Sequence, residues 1–189
     1  MAITLNDTKL HIAGLGYVFY APHKTPYPNF TKFKMADAKT WQGWTFLGDT
    51  SGENVVEFEA EGGEIEYKRT WGKKKARAVR SDTKITGTIN SVHIGKETFE
   101  VAFASGAYKE ESQSYQVKDK IVERKGMVMI VMEDGASIAA IGYPNTTMTG
   151  SHPKFDLENF TEIPISVAVL ADEELTLYEI FEPRDYNPA

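Results

Sequence analysis

Residues 53–80 read ENVVEFEAEGGEIEYKRTWGKKKARAVR. Glu57, Glu59 and Glu61 alternate with Val56, Phe58 and Ala60, and Glu64 and Glu66 alternate with Ile65 and Tyr67. A period of two sends successive side chains to opposite faces of a strand. The stretch therefore predicts two strands, each with an apolar and a carboxylate face. Gly62-Gly63 between them can take the positive φ angles of a tight turn. Lys68, Arg69, Lys73, Lys74, Lys75, Arg77 and Arg80 follow with no acid among them. Trp71-Gly72 opens what is expected to be a basic loop at 72–82. A chain with an acidic surface running into a basic segment can bind a copy of itself. If the two patches lie at opposite ends, the contact is head-to-tail and makes rings or filaments.

Outward from this stretch, the pattern is mostly strand. Residues 16–21 carry Tyr17, Val18, Phe19 and Tyr20, all good sheet formers. Pro22, Pro26 and Pro28 then impose an irregular loop at 22–38, whose aromatics Tyr27, Phe30 and Phe33 are expected to dock onto the domain. Strands are expected at 41–47, 83–90, 127–132, 137–143, 160–169 and 175–181, with a short piece at 146–149. The run at 127–132 is apolar throughout and suits a strand buried on both faces. One helix is expected at 96–104, where Phe99, Val101, Ala102 and Phe103 form an apolar stripe and Gly106 stands ready as a left-handed cap. The tail at 182–189 reads as an arm. The order implies a mainly β fold: two packed antiparallel sheets, as a sandwich or barrel, with one flanking helix. The 189 residues suit a single domain, and 41% hydrophobic content suffices for an ordinary core.

Chemistry is scarce. With no cysteine, thiolate metal sites and cysteine nucleophiles are excluded. His11, His23, His93 and His152 have no ligand spacing among themselves, so no metal is expected. Gly14-Leu15-Gly16 precedes a strand and lacks the helix that a dinucleotide loop needs. The glutamates form a dense row rather than an acid pair across a cleft, which argues against a glycosidase. No catalytic residue, cofactor or enzyme activity is expected. A net charge of −6 disfavours broad attraction to DNA or acidic membranes. No apolar stretch approaches the roughly 20 residues that span a bilayer. The first residues lack a signal-peptide pattern, so a soluble protein made in the cytoplasm is expected. Trp41, Trp44 and Trp71 raise one rival reading, a sugar-stacking platform on a carbohydrate-binding module.

The motifs recur in a recognisable order. A strand ends in Ala21-Pro22, a Lys24-Thr25 loop with Tyr27-Pro28 follows, and then come Trp44-Thr45-Phe46-Leu47-Gly48-Asp49, the acidic strands, Trp71-Gly72, the basic stretch and a helix closing at Ser105-Gly106. In that order the chain resembles the major tail tube proteins of long-tailed, non-contractile bacteriophages of actinobacteria. The resemblance implies a structural virion protein, made in the host bacterial cytoplasm, that forms hexameric rings whose inner sheets join into a barrel. The rings would stack into the tail tube, the conduit for DNA ejection, and meet tape measure, terminator and distal tail proteins. A tail terminator or head-tail connector ring of the same fold is the alternative. On this reading Glu57, Glu59, Glu61, Glu64 and Glu66 are expected to form an acidic lumen or interface face. Trp71, Lys73, Lys74, Lys75, Arg77 and Arg80 are expected to contact neighbouring subunits or rings.

Overall fold

A computed structural model describes residues 14–30, 41–80, 82–155 and 157–185. In chain order the elements are β1 (Leu15–Ala21), β2 (Thr45–Phe46), β3 (Glu57–Gly62), β4 (Ile65–Thr70), β5 (Lys73–Arg80) and β6 (Thr83–Ser91). They continue with α1 (Lys96–Ala102), β7 (Ala107–Lys109), β8 (Ser114–Gln116), β9 (Arg124–Asp134), β10 (Ser137–Gly150), β11 (Ile163–Val169) and β12 (Glu179–Asp185). The main sheet runs β2-β1-β9-β10-β11-β6-β3, with β12 also on β10; β4 pairs with β5 and β7 with β8 in separate hairpins. Every pairing is antiparallel.

The two packed layers are halves of this one sheet. β10 carries β12 beside its first half and β11 beside its second. The changeover falls at a bulge, where Tyr143 faces Val128 and Thr146 faces Gly126, so β10 advances three residues while β9 advances two. Pro144 sits in that bulge, where a residue without an N–H is tolerated and the strand bends. The Thr146 hydroxyl donates to the Gly126 carbonyl across the bend at 3.0 Å. The pieces expected at 137–143 and 146–149 are therefore a single strand.

The bend brings the halves together around one core. Val18 and Val128 from one half share a cluster with Ile85, Ile89, Ile165 and Val167 from the other, and Val101 and Ala102 of α1 close it. Phe58 of β3 stacks on Tyr143 of β10 with ring centroids 4.4 Å apart. A second cluster lies on the other face of β1 and β9, built from Phe19, Met127, Met129 and Val131. Alternate residues of β9 thus enter different cores, which accounts for the unbroken apolar run. The 22–30 loop covers the second core as expected. Tyr27 stacks on Trp44, Phe30 packs on Phe181 at 4.4 Å, and the Trp44 indole N–H donates to the Pro26 carbonyl at 3.0 Å. Phe33 and the rest of that loop lie outside the described residues.

Three expectations need correcting. The helix stops at Ala102 with Phe103 as its cap, and Gly106 does not take a left-handed conformation. The space beside Gly106 is filled instead: a Cβ there would lie 2.1 Å from the Tyr115 ring. Tyr115 comes from the β7–β8 hairpin, which the sequence did not signal, and its hydroxyl donates to the Phe103 carbonyl at 2.7 Å. The last strand begins at Glu179 rather than at 175, because the Asp172 carboxylate accepts from the backbone N–H of Glu174 and of Thr176 and holds a turn in which Leu175 has φ 65°. Residues 182–185 of the expected arm belong to this strand, and 186–189 lie outside the described residues.

Burial pushes the Tyr143 phenol up to about 12, with the nearby Tyr178 adding to the shift. Between the ordinary value near 10 and about 12, the folded state holds a proton that the unfolded state releases. Stability from this group is therefore complete below pH ~10 and lost as pH rises toward 12. Thermal melts should show a steeper alkaline decline for the wild type than for Tyr143→Phe.

Candidate functional site

The acidic strands do not pair with each other. A two-residue turn at Gly62-Gly63 would set Glu61 against Glu64 and Glu59 against Glu66, and like charges directly opposite destabilise a ladder. Instead β3 pairs with β6, where Glu57 meets Thr88, Glu59 meets Thr86 and Glu61 meets Lys84. Gly62 and Gly63 keep the expected positive φ angles, 91° and 73°, but serve to swing the chain off the sheet. The segment expected as a basic loop is strand β5, hydrogen-bonded to β4 with Lys68 opposite Arg77 and Ile65 opposite Arg80. The row of five glutamates is thereby divided. Glu57, Glu59 and Glu61 stay on the main sheet, while Glu64 and Glu66 go with the basic hairpin.

The hairpin stands clear of both cores. All of β4 is exposed, Trp71 at the turn is fully exposed, and Tyr67, Ile65 and Val79 are also uncovered. The Lys75 ammonium lies 4.6 Å above the Tyr67 ring, and Lys68 donates to the Glu66 carboxylate. That bond holds the Glu66 carboxyl below its ordinary value. Lys73, Lys74 and Arg77 are likewise exposed. An uncovered two-stranded hairpin with aromatic, aliphatic and cationic groups has the composition of a contact arm.

The other surface is the outer face of the second half-sheet. Glu57 and Glu59 border a trough of about 920 Å³ floored by Thr86 and Thr88 of β6, Ser166 and Ala168 of β11, and Thr147 and Thr149 of β10. The register orders these into cross-strand rows, Glu57–Thr88–Ser166–Thr149 and Glu59–Thr86–Ala168–Thr147–Lys125. Hydroxyls and carboxylates make this face hydrophilic, while Phe58 points the other way into the core. Its two margins are open among the described residues. No strand pairs with the outer edge of β3, and the β1 ladder stops at Met127, so no strand pairs with 124–126 of β9 on the side away from β10, where the Tyr20 hydroxyl donates to the Lys125 carbonyl at 3.2 Å.

The tryptophans do not share a surface. Trp44 is buried, Trp41 packs on Phe19 with centroids 4.7 Å apart, and Trp71 stands alone at the hairpin turn. The sugar-platform reading therefore loses its geometry. Among the described residues no group of three or more His, Asp or Glu could hold a metal.

A family profile described as "Phage tail tube protein" matches residues 3–187. The chain belongs to the phage tail tube protein family. It is similar to the "Major tail protein Gp23" of Mycobacterium phage D29, 31% identical over 141 residues that cover 69% of this chain and 68% of that one. It is also 32% identical over 136 residues to the "Major tail protein Gp23" of Mycobacterium phage L5, with the same coverage. A tail tube protein is a self-assembling structural component of the virion tail that works beside other tail proteins. The surfaces of interest in this tail tube protein are accordingly the uncovered ones: the hairpin, the open strand margins and the hydrophilic face between them. Among the described residues no helix is long and apolar enough to cross a membrane.

Proposed function

We propose that six copies close into a ring by joining the β3 edge of each to the 124–126 margin of the next, and that such rings stack into the conduit for DNA ejection. The observation that carries this reading is the pair of open margins flanking the hydrophilic face. An exposed edge is an aggregation hazard in a lone chain. In a ring each edge finds a partner, and the hazard becomes the assembly contact. The margins are unlike in charge: β3 presents Glu57, Glu59 and Glu61, and the opposite margin presents the exposed Lys125 beside Arg124, whose guanidinium donates to the Glu100 carbonyl. Closure would join the hydrophilic faces into a bore lined by carboxylates and hydroxyls, which repels phosphate and lets DNA slide. The β4–β5 hairpin, with Trp71, Lys73, Lys74, Lys75, Arg77 and Arg80, would reach between rings. Assembly in the host cytoplasm with tape measure, terminator and distal tail proteins, and the absence of catalysis or cofactor, complete the proposal.

Negative-stain imaging of the purified chain across concentration and salt tests it. Tubes whose onset concentration rises with salt are expected, since screening weakens exposed charge pairs. A chain that stays solitary at high concentration would overturn the reading. Thr86→Lys with Ser166→Lys, exposed on the hydrophilic face between the two margins, should convert the bore from repelling to retaining DNA without touching the joined edges. The variant tubes should bind DNA in a salt-sensitive manner, measurable by co-sedimentation, while wild-type tubes do not.

A further inference from the structure

We infer that the hairpin turn of one copy seats in an acidic cleft with an apolar lip on the next copy along the strand direction. The inference rests on the hairpin's proposed role between rings and names its receptor.

The cleft, about 730 Å³, lies between the 49–53 loop and the 157–162 loop. Asp49, Glu53 and Glu158 supply its exposed carboxylates, a fourth, Glu162, being buried and accepting from the Asn54 amide, and Leu157 and Phe160, 105% and 81% exposed, form its lip. Backbone bonds fix the first loop on the end of β6: Ser51 N–H donates to the Asn90 carbonyl at 2.9 Å and Val92 N–H to the Asp49 carbonyl at 3.0 Å. The second loop is tied to the same end, since Ile163 pairs with Ser91.

The hairpin leaves from the other end. Gly62, where the chain turns off the sheet, pairs with Thr83 at the start of β6. β6 spans nine residues, so arm and cleft are separated by about 26 Å at the usual rise of ~3.3 Å per residue. A contact between opposite ends of one strand pair is heterologous. It does not close on itself and repeats along the strand axis, as the stacking of rings requires.

The chemistry matches on both counts. Lys73, Lys74 and Lys75 follow Trp71 at the turn and meet three carboxylates, which gives the electrostatic complementarity that sets register between partners. The fully exposed Trp71 indole finds Leu157 and Phe160 to cover it. A cleft of 730 Å³ is the size of a small-molecule pocket, ~300–1,000 Å³, and has room for an indole, and tryptophan is among the residues enriched at interface hot spots. A second copy is favoured over another partner because both halves of the match reside on this chain.

The test is a charge exchange in the full-length chain, read by sedimentation and negative-stain imaging. Asp49→Lys/Glu53→Lys/Glu158→Lys should block tube growth, as should Lys73→Glu/Lys74→Glu/Lys75→Glu. Both sets combined in one chain should restore tubes, because every contact then pairs exchanged signs. Leu157→Ser/Phe160→Ser, on exposed side chains that leave folding intact, should raise the onset concentration at least about tenfold. If the cleft variants grow normal tubes while the hairpin variant does not, this receptor is wrong and the hairpin reading stands. If the hairpin variant also grows normally, both fall. If each set blocks growth but the combined chain does not recover, the pairing of hairpin with cleft is overturned.

Discussion

Reversing Lys73, Lys74 and Lys75 to glutamate is expected to leave the fold intact and to stop assembly short of tubes. Each substitution changes the charge by −2, so three take the net charge from −6 to −12. The side chains are exposed on a hairpin that contributes to neither core, and surface changes of this kind usually alter stability by no more than ~0.5 kcal/mol. Between copies the effect is of another order. Three attractive contacts become three repulsive ones, and like-charge juxtaposition at an interface costs several kcal/mol. The onset concentration for tubes should therefore rise by ~100-fold or more, since each ~1.4 kcal/mol is a factor of ten. Unchanged melting by circular dichroism together with an absence of tubes is the expected pair of results. Tubes of normal length would remove the hairpin from the assembly contacts.

Phe19→Ala should produce the largest loss of stability from any single truncation considered for this chain. Phe19 is fully buried on β1, with ring centroids 4.7 Å from Trp41 and 5.3 Å from Phe46. Truncation removes the transfer free energy of the ring and leaves a cavity walled by two other aromatics. Phe-to-Ala changes in such settings cost about 3–5 kcal/mol. Urea melts should show a lower midpoint with an unchanged slope. The contrast is Trp71→Ala, which removes a larger side chain and should leave the midpoint within error, because Trp71 makes no contact with either core in the isolated chain. A shifted midpoint for Trp71→Ala would mean that the hairpin folds back onto the domain.

The fold was legible where burial follows a simple period. The runs at 127–132 and 160–169 placed β9 and β11, although β11 begins only at Ile163, and Ile85 and Ile89 face the core as their spacing requires. Partner choice was less legible, because period-two alternation gives each strand a face and not a neighbour. The glutamates held the missing information: opposite-strand signs make a β3–β4 ladder unfavourable and a β3–β6 ladder, with threonines and Lys84, acceptable. The gap expected between 143 and 146 is a bulge around Pro144, visible only in the pairing on both sides of β10. The β7–β8 hairpin has three residues per strand, too few for a period to emerge. Of the candidate residues, the basic ones were read as a loop at 72–82 and lie on strand β5. The three tryptophans could have been sorted by their neighbours. Trp44 stands beside Phe46 and Leu47, whereas Trp71 stands among Lys, Arg, Thr and Gly. The cleft at the end of β6 had no sequence signal, because it joins loops a hundred residues apart.

The bend in β10 has a mechanical consequence. Where two separate sheets face each other, only side-chain packing resists sliding of one over the other. Here β9 and β10 run through both halves, so a shearing load on one half passes into the other along covalent backbone and its ladder of amide bonds. Such a subunit yields by breaking strands rather than by slipping layers, and a pipe assembled from it would flex at the joints between subunits while each unit kept its shape.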